Sequence, residues 1–212
     1  MPPEPVVLAF DTSAAHCAAA VVSGTRILAQ RAELMDKGQA ERLMPLLAGV
    51  LAEAQVGYAG LSAIGVGTGP GNFTGVRISV AAARGLALGR GLPAIGSSGF
   101  EALAAGLPDD VVALLDARRG ALWLAGRGID PQLVEPPDLP DEIRVRPLVG
   151  YRAEDLALHT GGAVYRQPVP MAVAIARLAA VRLGTPHPRP APMYLRAADA
   201  ALPAEPPPVI LP

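Results

Sequence analysis

The sequence predicts an α/β protein with a sheet at its centre, and three observations carry that expectation. Residues 6–33 read as three short strands joined by tight turns, an antiparallel meander. From residue 39 to residue 95 helical and strand patterns alternate, so the first half runs strand, strand, strand, helix, strand, helix, strand. A glycine-rich junction, Gly65-Val-Gly-Thr-Gly-Pro-Gly-Asn-Phe-Thr-Gly-Val-Arg77, marks the place where a buried strand gives way to an alanine-rich helix. A chain of 212 residues fits one large domain or two small lobes.

Val6 to Phe10 is a short continuous apolar run, the mark of a strand buried on both faces. Cys17 to Val22 gives a second strand, and Arg26 to Glu33, which alternates, a third and more exposed one. A helix is predicted over 39–54, with a kink or a helix start at Pro45, because proline cannot donate to the helical ladder. Leu61 to Val66 is the next strand, Val76 to Leu88 the next helix, and Pro93 to Ile95 the last strand of this half. Ser97-Ser98-Gly99 then caps a short helix, Phe100 to Ala105.

Beyond it, Val111 to Leu115 and Ala121 to Ala125 read as strands flanking the turn Asp116-Ala-Arg-Arg-Gly120. Prolines interrupt the chain between Asp130 and Pro147, which reads as extended or loop-like. Arg152 to Leu158 reads as a short helix, and Met171 to Leu183 as a longer one stopped by Gly184. Met193-Tyr-Leu-Arg196 is expected as a short strand or docking segment, and the proline-rich tail from Pro203 as disordered. No repeat of fixed period is visible.

Composition narrows the function. The chain is 51% hydrophobic and only 17% charged, so it can bury a real core and has few charges with which to cover its outside. That balance favours a partner chain over part of the surface. A net charge of −1 gives no sign of a basic groove for independent nucleic-acid binding. The single cysteine, Cys17, rules out an internal disulfide and suits a reducing compartment. The start, Met-Pro-Pro-Glu-Pro, lacks the features of a signal peptide, and no apolar run is long enough to span a bilayer, so a cytoplasmic protein is expected.

The glycine junction is the first candidate site. A strand that ends in such a loop and restarts as a helix aims free N–H groups at the helix start, a ready anion site. The alternative is a tight turn that binds nothing, where glycine merely lets two backbones approach. No Gly-x-Gly-x-x-Gly register fits, and no Gly-Lys-Ser/Thr exists, so neither a dinucleotide fingerprint nor a P-loop is present. Asp11-Thr12-Ser13, at the end of the first strand, offers a carboxylate and two hydroxyls for a hydrated Mg²⁺ or a phosphate. It reads equally as a turn that satisfies its own backbone. Asp116-Ala-Arg-Arg119 is either a phosphate clamp or a solvated hairpin tip. His16, His159 and His187 form no His-x-x-x-His pair, so no metal site is expected. No Gly-x-Ser-x-Gly elbow supports a serine nucleophile.

Two helical stretches, 43–52 and 78–88, are nearly free of charge. A helix apolar all round is buried on all sides, and a small lobe covers only one side with its sheet. Leu43, Met44, Leu46, Leu47, Val50, Leu51, Val80, Ala83 and Ala87 are therefore expected at a protein–protein interface, with Ala81, Ala82, Gly85 and Gly89 allowing a second helix to approach closely.

Val6-Val-Leu-Ala-Phe-Asp-Thr-Ser13, Gly69-Pro-Gly-Asn-Phe-Thr-Gly-Val-Arg77, Asp116-Ala-Arg-Arg119 and Pro192-Met-Tyr-Leu-Arg196 occur together in the order found in the TsaB (YeaZ) family, which this sequence resembles. The resemblance spans nearly the whole chain except the proline-rich middle. It implies an actin-like (ASKHA, ribonuclease H-like) α/β fold with two lobes, here 1–106 and 107–212. It also implies an accessory role in making N6-threonylcarbamoyladenosine at position 37 of tRNAs that read ANN codons.

The partners implied are a TsaD-type catalytic paralogue, paired through helices 39–54 and 76–88, and a TsaE-type ATPase. A TsaC-type enzyme would supply the threonylcarbamoyl-adenylate. Contact with tRNA would be indirect or made within the complex, and a homodimer would be possible without TsaD. The family's catalytic paralogue carries His-x-x-x-His where this chain has Lys37-Gly-Gln-Ala-Glu-Arg-Leu43, and relatives often have His in place of Gln39. No cofactor is expected in the chain alone. ATP or ADP would bind only within the complex, at a vestigial phosphate site of Asp11, Thr12, Ser13, Gly69, Gly71, Asn72, Thr74 and Arg77. The competing readings are an active ASKHA-type kinase or metallopeptidase-like enzyme, and a homodimeric structural protein with no tRNA role.

Overall fold

The computed structural model describes residues 4–136 and 138–195. The expectations for Arg196 and for the tail from Pro203 lie outside the described residues. β1 (Val6–Asp11) is the central strand of the first sheet, and its side chains alternate between two buried layers. Leu8 and Phe10 join one apolar cluster, Val7 and Ala9 the other. β2 (His16–Ser23) runs antiparallel to β1 and β3 (Arg26–Leu34) antiparallel to β2, the meander that the alternation predicts. β4 (Ala63–Gly67) lies parallel to β1, and β5 (Ala94–Ser97) parallel to β4, giving the order β3-β2-β1-β4-β5.

α1 (Gln39–Glu53) and α2 (Phe73–Arg90) cover one face of this sheet through Leu43, Leu46, Leu47 and Val50 of α1 and Val76, Val80 and Ala83 of α2. α1 passes through Pro45 without starting there. Pro45 and Glu41, whose carbonyl it leaves unbonded, are both on the exposed side, where water can meet that carbonyl. Arg42 ties α1 to β3 with two hydrogen bonds of 2.6 Å to the carboxylate of Glu33, which hold that carboxyl below its ordinary range. α2 begins at Phe73, earlier than the expected Val76, because Asn72 caps it. α3 (Gly99–Ala104) opens on a capping box between Ser98 and Glu101.

The second sheet repeats the plan of the first. β6 (Val112–Asp116), β7 (Leu122–Gly126) and β8 (Ile129–Val134) form an antiparallel meander. β9 (Leu148–Gly150) and β10 (Val164–Tyr165) add in parallel beside β6, giving the order β10-β9-β6-β7-β8. With β6 in the place of β1, the two orders are the same, a duplication invisible as a sequence period. α4 (Ala153–Thr160) packs against β9 and β10. Part of the segment expected as loop is thus strand. Pro131 sits on β8, at the sheet's edge and next to a register shift, where a missing N–H is tolerated.

α5 (Met171–Arg182) corrects the expected division of the chain at 106/107. It lies in the second half of the sequence yet packs on the first sheet, against the face opposite α1 and α2. The fit is close: a β-carbon on Gly65 would stand 3.0 Å from that of Ala9 and 3.2 Å from that of Ala179. Gly65 therefore serves helix-on-sheet packing. Among the described residues no helix is long and apolar enough to cross a membrane.

Candidate functional site

The tip between β1 and β2 carries Asp11, Thr12 and Ser13, all buried. One oxygen of Asp11, Oδ2, accepts from the Ser13 amide at 2.8 Å and from the Ser13 hydroxyl at 2.7 Å. The same oxygen lies 3.0 Å from Nε2 of His16. The other, Oδ1, fills the space that a β-carbon on Gly67 would take. Thr12 donates its hydroxyl to the carbonyl of Gly75 at 2.6 Å. Of the two readings of this triplet, the turn that satisfies its own polar groups is the one built.

The glycine junction closes down on that tip. β-Carbons on Gly71 and Gly75 would overlap the carbonyl oxygens of Ser13 and Thr12, and the amide of Asn72 donates to Ser13 O at 2.6 Å. Glycine is required here because two backbones touch. Gly69, at φ +88°, accepts the amide of Gly99 at 2.8 Å and so binds the junction to α3. The start of α2 is capped from within the chain: Asn72 Oδ1 accepts from Thr74 N at 3.0 Å and from Gly75 N at 3.3 Å.

Arg77 is held by aromatic rings. Its guanidinium carbon lies 3.6 Å from the ring centre of Phe73 and 5.6 Å from that of Tyr194, and Nε donates to Tyr194 Oη at 2.7 Å. The amide of Met193 donates to Thr68 O at 2.8 Å. Residues 193–195 thus dock on the β4–α2 junction. They do so as irregular chain, so of the two forms expected for 193–196 the described part takes the docked one.

Between these loops and the second sheet lies a cleft of about 690 Å³. Its walls are Ser13, His16, Gly71, Asn72 and Phe73 from the first lobe, Leu115, Asp116, Arg118 and Trp123 from the second, and Met171, Met193, Tyr194 and Leu195. The Asp116 turn caps itself, with Oδ1 accepting from Arg118 N at 2.7 Å. Arg118, Arg119 and Gly120 all adopt positive φ, and both arginines are exposed, with no acidic partner among the described residues.

The fold implies a nucleotide here, and the residues present do not fit one. Asp11, Thr12 and Ser13 spend their polar atoms on each other and on Gly75, the helix start is filled by Asn72, and Arg77 is stacked outside. Among the described residues these polar groups leave no open phosphate cradle facing the cleft. Nor do Ser13 and His16 make a nucleophile–base pair, since both bond to the same oxygen of Asp11 rather than to each other. Among the described residues no group of three metal-ligating side chains occurs, and the amide of Gln39 donates to Met35 O at 3.0 Å.

The helix face needs a correction as well. Leu43, Leu46, Leu47, Val50, Leu51, Val80, Ala83 and Ala87 are buried in the chain's own core, so none of them presents a free surface. Their hydropathy marked the stripe that the sheet covers. Met44, 44% exposed, is the one member of that set that faces out. The outward residues of α1 are Ala40, Glu41, Met44, Pro45, Ala48, Ala52 and Glu53, and those of α2 include Arg77, Ala81, Gly85, Leu88, Gly89 and Arg90. Spacings of four place Ala40, Met44, Ala48 and Ala52 on one side of α1 and Ala81 and Gly85 on one side of α2, with the exposed charges Glu41, Glu53, Arg77 and Arg90 towards the helix ends.

Sequence reasoning missed His16, Trp123 and Tyr194 as cleft residues. His16 directly follows the hairpin tip, so its place was readable. Trp123 and Tyr194 gave no local signal, because each reaches the cleft through chain folding alone.

A family model described as TsaD: tRNA N6-adenosine threonylcarbamoyltransferase matches residues 26–130. The tRNA threonylcarbamoyladenosine biosynthesis protein TsaB of Escherichia coli (strain K12) is 35% identical over 124 residues, which cover 56% of this chain and 53% of that protein. The protein of that name from Bacillus subtilis (strain 168) is 34% identical over 120 residues, covering 55% and 52%. The chain thus spans about half the length of the curated relatives it matches. YeaZ from Pseudomonas aeruginosa superposes with a TM-score of 0.73 at 26% identity, over 90% of this chain and 100% of that one. Component A of the Acidaminococcus fermentans (R)-2-hydroxyglutaryl-CoA dehydratase superposes at 0.56 with 9% identity, over 84% and 99%, and shares the fold alone. The fold is the two-lobed actin-like one, and the chain is similar to the TsaB/YeaZ proteins.

Proposed function

We propose that this chain is a non-catalytic subunit required to form N6-threonylcarbamoyladenosine at position 37 of tRNAs that read ANN codons. It pairs with a TsaD-type catalytic paralogue and supports the active arrangement of that partner. It also helps to recruit a TsaE-type ATPase, and a TsaC-type enzyme supplies the threonylcarbamoyl-adenylate. The observation that carries the reading is the small-residue, uncharged middle of the outer side of α1 and α2, where alanine and glycine at 48, 81 and 85 leave room for helices to approach between the charges at the helix ends. The match of residues 26–130 to a TsaD description adds to it. A paralogue with the same strand–helix plan presents the same helix pair, so the two can meet about a near-twofold axis.

A pairing surface supports catalysis without chemistry of its own by binding one conformation of its partner better than another. The self-satisfied Asp11 turn supports this role over the kinase and peptidase readings. Nucleotide would bind only if the partner drew the 69–75 loop away from the tip. Contact with tRNA is then indirect or made within the complex, and the same face can pair two copies of this chain when the partner is absent.

Depleting the chain in its host and reading tRNA nucleosides by mass tests the function: loss of the modified adenosine is expected. Unchanged modification, or turnover of ATP or peptide by the pure chain, would overturn it.

A further inference from the structure

A second hollow, of about 310 Å³, lies on the far side of α2 from the junction loop. It is bounded by α2, by Leu92 and Ala94 at the start of β5, and by residues 187–190, which return along this lobe after α5. Three basic side chains line it, Arg84 of α2 with His187 and Arg189, and no carboxylate does. Nε of Arg84 is shielded from water and has no hydrogen-bond partner. Neither Arg84 nor Arg189 appears in an ion pair among the described residues. Arg31, Arg42 and Arg182 of this lobe are paired with Glu53, Glu33 and Glu101, while Arg77 and Arg90, also in no ion pair among the described residues, stack on aromatic rings instead.

A shielded, unbonded donor on a cation is costly unless an acceptor is supplied from outside. Two arginines lining one hollow without an acid suit a ligand with several anionic oxygens, and phosphate matches guanidinium geometry. His187 is disposed to bind the same ligand. Its Nδ1 lies 2.8 Å from Thr185 O, a carbonyl that can only accept, so Nδ1 donates there, and Nε2 faces the ligand as a second donor only in the imidazolium form.

We propose that Arg84, His187 and Arg189 form a binding site for a phosphate group, either a backbone phosphodiester of RNA or a free phosphate. The site stands apart from the interlobe cleft and does not rest on the accessory-subunit reading.

The test is a nuclear magnetic resonance titration of the full chain at low salt, following arginine Nε–H and histidine ring signals. One arm adds inorganic phosphate and the other a short single-stranded RNA. Both are repeated on the double variant Arg84→Gln with Arg189→Gln, after its thermal midpoint is shown to match the parent. Signals of Arg84, Arg189 and His187 are expected to move, with at least a tenfold loss of affinity in the variant. RNA binding tighter than phosphate and weakening steeply with salt identifies a phosphodiester. Equal or tighter binding of inorganic phosphate identifies the free ion. No movement with either ligand, movement confined to other residues, or unchanged affinity in the variant would overturn the proposal.

Discussion

Arg77 Nε and Tyr194 Oη, 117 positions apart in sequence, meet at 2.7 Å on the rim of the interlobe cleft. That bond, with the Phe73 and Tyr194 rings about the guanidinium, fastens residues 193–195 to the glycine junction. Arg77→Ala removes a charge-assisted hydrogen bond and two ring contacts, together worth about 1–3 kcal/mol for partly exposed groups. The expected result is a fold that survives, with the thermal midpoint lowered by several degrees and faster proteolysis near residues 187–195. Tyr194→Phe keeps the ring and should cost less than half as much.

Two glycines of α2 should respond in opposite ways. Gly75→Ala drives a β-carbon into Thr12 O and should destabilise by about 1–3 kcal/mol, with the β1–β2 tip shifting in chemical-shift maps. A β-carbon on Gly85 meets nothing within 4 Å, so Gly85→Ala should stabilise the isolated chain by about 0.5–1 kcal/mol. If the outer face seats a partner helix, the same change weakens that pairing. Thermal melts and a binding titration read the two effects separately.

The helix face gives a second contrast. Leu47 is fully buried, and Leu47→Ala should cost about 2–5 kcal/mol. Met44→Glu and Ala81→Glu replace exposed residues and should leave the melt within about 0.5 kcal/mol. Sedimentation with the TsaD-type partner should show the heterodimer lost in both glutamate variants. A folded Ala81→Glu chain that still pairs would refute the proposed surface.

Burial raises the Cys17 thiol to about 11, with the Glu33 carboxylate adding to the shift. At pH 8 the native chain should therefore react with iodoacetamide far more slowly than the denatured chain, as intact mass will record. The folded chain keeps a proton that the unfolded chain gives up at its lower, ordinary value near 9.0. This contribution to stability is full below that value and is lost as pH rises toward 11.

Glu101 works in the other direction. Burial opposes its charge, but the Ser98 amide and the Arg182 guanidinium outweigh burial and hold its carboxyl below the ordinary value. Its contribution is therefore present above the ordinary carboxylate range and is lost as pH falls through the depressed folded value. Glu101→Gln should flatten the acid limb of a plot of thermal midpoint against pH, and an unchanged limb would show that the pair contributes nothing.

Much of this molecule was legible in the chain because local rules decide it. The meander of β1 to β3 follows from alternation and short turns, and the α3 cap from Ser98 with Glu101 three residues on. The resemblance rested on residues that prove to be neighbours: Ser13 touches Gly71 and Asn72, while Arg77 touches Tyr194. The glycine spacing announced a close approach but could not say to what. Thr12 and Ser13, rather than a phosphate, came to lie against it, because a hydroxyl or amide inside the chain satisfies a polar group as well as a ligand does.

The sequence by itself determined the strand and helix order of the first half, the resemblance to the TsaB/YeaZ proteins, and two helices with long stretches nearly free of charge. Only the tertiary structure decided that α5 crosses back to close the first lobe, that Leu43, Leu47 and Val80 face inward, and that Ala48, Ala81 and Gly85 face out. The reason is that hydropathy measures a residue's preference for leaving water, whereas which neighbour covers it is set by contacts between segments far apart in the chain. Small residues carry almost no hydropathy signal, so a face built from them becomes visible only once everything around it has been placed.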